Sequence, residues 1–244
     1  MHPTKVLGHV AWAGALAASV QATPAFAQDR GLTTTLEATS DERRRGISWS
    51  DGDPVLRSAV SIPVANGLSL DASATTLWGS DRHGGADAVL DVGAAYVRRI
   101  GGWRLTGEAR YHLFPGARDQ GYGEVGVITG FLIGPANLDL AARYAPRQSA
   151  IGGDNLYLSA AAAIAIPATP FTLSAHLGRS SGKAREPIAA QRLRPGGRYW
   201  DHGVALDWYK GKWSAGLRYA GNGIDDRIGA DTGNRLIARL GLTL

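Results

Sequence analysis

The chain has no cysteine among its 244 residues. That excludes disulfide stapling and leaves no thiol for catalysis or for a metal. Neither charge dominates: 26 Lys and Arg stand against 21 Asp and Glu, for a net +5. The basic residues are scattered, so no nucleic-acid partner is indicated. His83, His112, His176 and His202 do not fall at metal-ligand spacing, and no metal site is expected. P-loop and dinucleotide fingerprints are missing, as is a paired acid–base constellation, so neither a cofactor nor a catalytic residue is expected. Beyond residue 27 no stretch is long and apolar enough for a transmembrane helix. A closed barrel stays open as a reading, because it satisfies its backbone internally and signals itself by alternation.

The start of the chain carries an export pattern. Lys5 precedes an apolar run from Val6 to Val20, followed by Ala25-Phe26-Ala27 with Gln28 and Asp29 just beyond. Charge, apolar stretch and small-residue cleavage site come in the order of a secretory signal. The run is about 15 residues, short of the roughly 20 that an anchoring helix needs. The expected organisation is a signal peptide at 1–27 and one domain at 28–244, whose charge is 25 − 21 = +4 after loss of Lys5.

Alternation then dominates. Trp103, Leu105, Gly107, Ala109, Tyr111 and Leu113 fall on one face, while Arg104, Thr106, Glu108, Arg110 and His112 fall on the other. Strand geometry separates these sets and helix geometry mixes them. The same template fits Leu68 to Trp78, Ala88 to Tyr96, Leu138 to Tyr144, Phe171 to Leu177, Val204 to Trp208, Trp213 to Tyr219 and Leu236 to Leu244. Weaker strands are expected at 32–40, 55–64, 123–133 and 156–166. The sum is about 12 strands of roughly ten residues, suited to tilted membrane-spanning strands.

Connections alternate too. Short ones at 65–67, 101–102, 134–135, 167–170 and 210–212 interleave with longer polar ones at 41–53, 79–85, 115–121, 146–154, 180–198 and 221–233. Outer-membrane barrels pair tight periplasmic turns with longer outer loops in this way. Trp103, Phe171, Trp213, Tyr96 and Trp208 flank short turns, and Trp78, Tyr111, Tyr144 and Tyr219 lie near long ones. Two aromatic rows a strand length apart match girdles at the two lipid interfaces. A soluble sandwich also alternates but does not concentrate aromatics at both strand ends. The expected fold is therefore all-β: a transmembrane up-and-down antiparallel barrel with periplasmic termini.

One segment carries a family likeness. Ser40-Asp41-Glu42-Arg43-Arg44-Arg45-Gly46-Ile47-Ser48, followed by Asp51-Gly52-Asp53-Pro54, resembles the start of the TorF-like porins, a bacterial family. The pattern there is roughly S-D-Y-x-F-R-G-I-S, then a short polar stretch and Pro. Asp41, Arg45, Gly46, Ile47, Ser48 and Pro54 match, while Glu42 and Arg44 stand where aromatics are usual. The resemblance runs from about Leu32 to Leu244 as a series of hairpins. It implies an outer-membrane, porin-type barrel, and no substrate or catalytic residue. Members often end in an aromatic that the barrel-assembly machinery recognises, and here the last residue is Leu244.

With the apolar face toward lipid, the polar face lines the interior. Pore-lining residues are expected to be Arg57, Asp71, Asp91, Arg104, Glu108, Arg110, Asp139, Arg143, Asp207, Arg218, Arg235 and Arg239. The mixed signs fit either a water-filled lumen with a transverse field or a network of ion pairs that plugs it. Arg43, Arg44 and Arg45 form the densest basic run and are expected at the outer mouth, attracting anions or gripping lipopolysaccharide phosphates, or simply solvated. The 180–198 loop either folds inward or stays above the surface. His202 and Ser58 share the apolar face, where a lipase would need a Ser–His pair, but their strands are not neighbours in order. The leading function is a porin-like channel for passive diffusion of small polar or ionic solutes. The rival is a non-conducting structural barrel whose outer loops bind a partner or lipopolysaccharide. Expected partners are outer-membrane lipid, the assembly machinery and small solutes.

Overall fold

A computed structural model of the chain describes residues 13–17, 19–23, 31–224 and 233–244. Twelve antiparallel strands close into one barrel. They are β1 (Thr33–Thr39), β2 (Val55–Ala65), β3 (Leu68–Ser80), β4 (Ala86–Ile100), β5 (Trp103–Leu113), β6 (Tyr122–Ile133), β7 (Ala136–Gln148), β8 (Gly153–Ala165), β9 (Phe171–Ser181), β10 (Tyr199–Lys210), β11 (Trp213–Asn222) and β12 (Arg235–Thr243). Each pairs with the next in sequence, and β12 returns to β1 with Arg239 opposite Thr39 and Thr243 opposite Thr35. The expected cleavage point after Ala27 lies outside the described residues. Ala13–Ala17 and Ser19–Thr23 pair as a separate ribbon.

Phase decides everything about the wall, because each strand turns successive side chains to opposite faces. Val125 and Val127 on β6, Leu140 on β7, Leu217 on β11 and Leu240 on β12 are all exposed outward. Such a continuous apolar surface is what a lipid-facing barrel presents and what a water-soluble one avoids. Among the described residues no helix is long and apolar enough to cross a membrane. Aromatics band both ends. Trp103 packs at a tilt against Phe131, 4.9 Å between ring centres, beside the short turns, and Trp78, Tyr111, Tyr144, Trp200 and Tyr219 ring the long-loop end.

Two of the expected long connections are shorter than the sequence implies. β3 continues to Ser80 through an irregularity after Thr76, where Trp78 (φ 56) and Gly79 (φ 84) take left-handed conformations. Trp78 Nε1 donates to Pro54 O at 2.6 Å there, which turns its ring outward onto the rim. Likewise β7 runs to Gln148, so only 149–152 separates it from β8. The third departure is the largest, and it fills the bore.

Candidate functional site

The loop joining β1 to β2, residues 40–54, turns into the barrel instead of rising above it. Arg45 (φ 56) and Gly46 (φ 74) make the reversal between Arg43–Arg44 and Ile47–Ser48, which pair as a short ribbon. Glycine is required at 46, since a Cβ there would lie 2.6 Å from Asp201 Cβ. Asp41 anchors the ribbon's base, accepting from Ser48 Oγ at 2.6 Å and from Arg43 Nε at 2.8 Å. Ile47 and Trp49 are buried with it.

The three arginines expected at the outer mouth, gathering anions or phosphates or simply solvated, lie instead inside the lumen, where Arg43 is 5% and Arg44 8% exposed and Arg45 is partly buried. The reason is charge matching, because the wall supplies carboxylates at that level and the loop supplies its own. Arg44 grips Asp91 with both terminal nitrogens, at 2.8 and 3.2 Å, and turns its Nε to Glu42 at 2.9 Å. Its guanidinium lies 4.2 Å over the Trp49 ring. Burial alone pushes the Arg44 guanidinium down, and Asp91 and Glu42 beside it more than offset this, holding it above its usual range. Arg45 pairs with Glu124 and lies 4.7 Å over Tyr157. Arg43 binds Asp41 and donates to Gly46 O and Gly233 O. Tyr199 fixes the backbone by donating its hydroxyl to Arg45 O at 2.9 Å. His112 completes the network, with Nδ1 2.6 Å from Asp91 and Nε2 3.5 Å from Glu124.

A second loop closes over the first. Residues 182–198 fold inward, with a short helix at Pro187–Ala190 and Leu193 buried among Trp49, Leu77, Val89, Phe114, Tyr122 and Ile151. Arg192, 6% exposed, donates from Nε to His83 Nδ1 at 2.9 Å and from Nη1 to Gln120 O and Ala150 O. It stacks 4.2 Å over Phe114. Among the described residues no carboxylate contacts it, and burial pushes its guanidinium down to about 10.

The wall residues sort by position. Arg57, Asp71, Asp91, Arg104, Glu108, Arg110, Asp139, Arg143, Asp207, Arg218 and Arg239 all stand on the inward phase of their strands, opposite the exposed apolar row. Arg235 instead sits exposed at the long-loop rim, donating to Gly52 O at 3.1 Å, because β12 begins there. Inside, the charges interleave as pairs. Arg104 meets Asp139 at 2.8 Å, Arg143 meets Glu108 at 2.5 Å, and Arg239 bridges Glu37 and Asp207 at 3.1 and 2.7 Å. His202 faces outward beside Tyr219, 6.1 Å between rings, with Ser58 on the distant β2. Among the described residues no group of His, Asp and Glu is gathered for a metal ion.

Space is distributed unevenly along the bore. Toward the short turns lies a cavity of about 280 Å³, lined by Arg57, Asp71, Arg104, Glu108 and Arg110 with several Ser and Thr. Beside the plug the cavities shrink to about 20 and 30 Å³. Those hold a water or two and no larger solute. Residues that sequence reasoning missed are Trp49, His83, His112, Glu124, Tyr157, Arg192 and Tyr199, all buried at the plug or partners of it.

Comparison with known proteins places this architecture. A family model described as a bacterial protein of unknown function, Gcw_chp, matches residues 23–240. No curated protein sequence matches. Among solved structures, the NanC porin is similar with a TM-score of 0.58 and 14% identity, over 87% of this chain and 98% of that one. The KdgM porin gives 0.55 and 12% identity over 86% and 97%. The COG4313 outer membrane channel from Pseudomonas putida F1 gives 0.56 and 10% identity over 89% and 96%. At these identities the likeness is one of fold, a closed barrel of the outer-membrane porin kind.

Proposed function

The chain belongs to the Gcw_chp family of bacterial proteins of unknown function, and we propose that it is an outer-membrane porin-like channel whose resting form is closed by its own first loop. It admits small polar or ionic solutes by passive diffusion when the loop withdraws. The observation that carries this reading is where the closure comes from. The wall encloses a polar cavity of about 280 Å³, and what obstructs the bore above it is a loop and not the strands themselves. The loop is held largely by ion pairs. Truncating one partner of a buried pair typically costs about 3–5 kcal/mol, because the other charge stays buried alone.

In this reading the short turns lie in the periplasm, the plug lies toward the outer face, and the leader is removed on export. The likeness of the 40–54 loop to TorF-like porins and the porin fold of the solved neighbours support it. Passage follows from fold and lumen, with no catalytic step. Lipopolysaccharide remains a proposed contact of the long-loop rim, and the assembly machinery a proposed partner during insertion. One observation favours the rival, a non-conducting barrel: the second loop adds a core of Trp49, Phe114, Tyr122 and Leu193 over the plug.

Planar-bilayer recording separates the two. The refolded mature chain is expected to give rare, small conductance steps, and the double variant Arg44→Gln, Arg45→Gln larger and more frequent ones. A variant that folds as a barrel yet stays as silent as its parent would remove the channel reading and leave the scaffold.

A further inference from the structure

Among the charges that line the cavity below the plug, Arg110 and Asp71 stand apart from the ion pairs. Arg110 makes no hydrogen bond or ion pair among the described residues. Among the described residues Asp71 meets no cation, and it accepts from Ser69 Oγ at 3.3 Å. Both line the cavity below the plug. Register brings them together: Asp71 on β3 lies opposite Gly93 on β4, and Gly93 lies opposite Arg110 on β5. Two interstrand spacings separate their Cα atoms, about 9–10 Å. Gly93 stands between them with no side chain, and a Cβ there would lie 2.7 Å from Ala109 O. The floor between acid and cation is therefore open.

The plug explains why Arg110 is left without an acid. Its cross-strand neighbour on β6 is Glu124, which Arg45 occupies. The other acid at this level is Asp91, one step along β4 from Gly93 on the inward face, and Arg44 occupies it. A half-buried guanidinium and a half-buried carboxylate, each facing the same small polar space without touching, are complementary to a molecule that carries both charges itself.

We propose that Asp71 and Arg110 form a subsite for small zwitterions of the α-amino-acid type. The Arg110 guanidinium takes the carboxylate as a two-pronged donor, and Asp71 accepts from the ammonium. Ser61, across from Asp71, and Ser73 line the same space and supply hydroxyls. A simple anion would satisfy Arg110 while lying near Asp71, and a simple cation would satisfy Asp71 while lying near Arg110. Each pays a repulsion that the zwitterion avoids. The volume suits a molecule of amino-acid size. This deepens the channel reading by naming a solute class, and it rests on the lumen being the solute path.

The test is titration calorimetry on the folded full-length mature barrel in detergent, with glycine, acetate and methylammonium as probes. Glycine is expected to bind about tenfold or more tightly than either single-charge probe, the difference one charge-assisted contact makes. Asp71→Asn should bring glycine down to the level of acetate, and Arg110→Gln to the level of methylammonium. Equal binding of glycine and acetate, no binding of glycine, or no effect of Asp71→Asn would each overturn the subsite. Because binding is read without conduction, the two readings fail separately. A silent bilayer with intact glycine binding counts against the channel alone, and conductance without glycine binding counts against the subsite alone.

Discussion

Mild acid should lift the second loop off the plug. His83 is fully buried and accepts from Arg192 Nε through Nδ1 at 2.9 Å, so its own proton sits on Nε2. Burial holds the imidazole well below its ordinary 6.5, and the facing charges act the same way: Arg192, Arg82, Arg44 and His112 are all cationic or able to become so. Trp49 and Phe114 pack on its faces, 4.4 and 4.7 Å between rings, and add no acceptor. Protonation would remove the acceptor of Arg192 and set two cations side by side. The sign follows from the direction of the shift. The closed loop has a depressed His83 value, so its stabilisation is complete above 6.5 and is lost as pH falls through the depressed value. Each pH unit below 6.5 over which the closed state stays neutral costs it about 1.4 kcal/mol, a tenfold shift toward the open loop, until the depressed value is reached. The chain has no cysteine, so a single introduced thiol reports alone. Ala190 in the loop helix is 4% exposed and Ile188 is 89% exposed. The labelling rate of Ala190→Cys relative to Ile188→Cys, using an aromatic disulfide that reacts in acid, cancels the reagent's own pH dependence. The ratio should climb by about tenfold per unit below the ordinary His83 value. In His83→Gln, whose amide oxygen accepts from Arg192 and does not titrate, it should stay flat. A flat ratio in the parent, or the same climb in the Gln variant, would refute the reasoning.

Two further substitutions probe the plug and the wall. Gly46→Ala forces a Cβ 2.6 Å from Asp201 Cβ at a left-handed φ of 74°, and should loosen the plug by about 1–3 kcal/mol. More frequent openings in bilayer recordings, with the barrel intact, would register this, whereas unchanged gating would show that the ribbon adjusts freely. Val127→Arg places a charge on an outward residue 60% exposed in the middle of β6, and should cost about 2–4 kcal/mol in a lipid bilayer. Denaturant unfolding from vesicles measures it, and a negligible cost would mean that this face is not turned to lipid.

The wall was legible because a strand has two faces and nothing else to encode. Trp103 to Leu113 alternate so regularly that phase alone assigns every side chain on β5 to lumen or lipid. The plug was not legible by the same means, because a loop has no period. Its path depends on carboxylates distant in sequence, Asp91 and Glu124, meeting Arg44 and Arg45. Some signal was nevertheless present. Ile47 and Trp49 are apolar residues inside an otherwise polar connection. Tyr122, Tyr157 and Tyr199 are aromatics on the lumen phase, where a water-filled bore gives them no reason to be. Arg235 was misplaced for a simpler cause, since alternation gives a face and not a depth, and the strand begins at the rim.

The ring of hydrogen bonds has a seam where the first strand meets the last. That ladder runs from Arg239 opposite Thr39 to Thr243 opposite Thr35, with Thr34 and Leu244 exchanging one more pair of bonds, while β4 and β5 pair over the longer stretch from Leu90–Leu113 to Ile100–Trp103. The plug loop begins at this seam. Ser40 N donates to Ala238 O, Ala238 N donates to Ser40 Oγ, and Arg43 reaches across to Gly233 O. The stopper is thus also the clasp. Its footholds lie on strands at both ends of the chain and on β4 and β6 between them, so they come together only when the cylinder has closed. The seated stopper is therefore a property of the closed wall and not of an open sheet. A chain caught before closure has neither a seated stopper nor a shut seam.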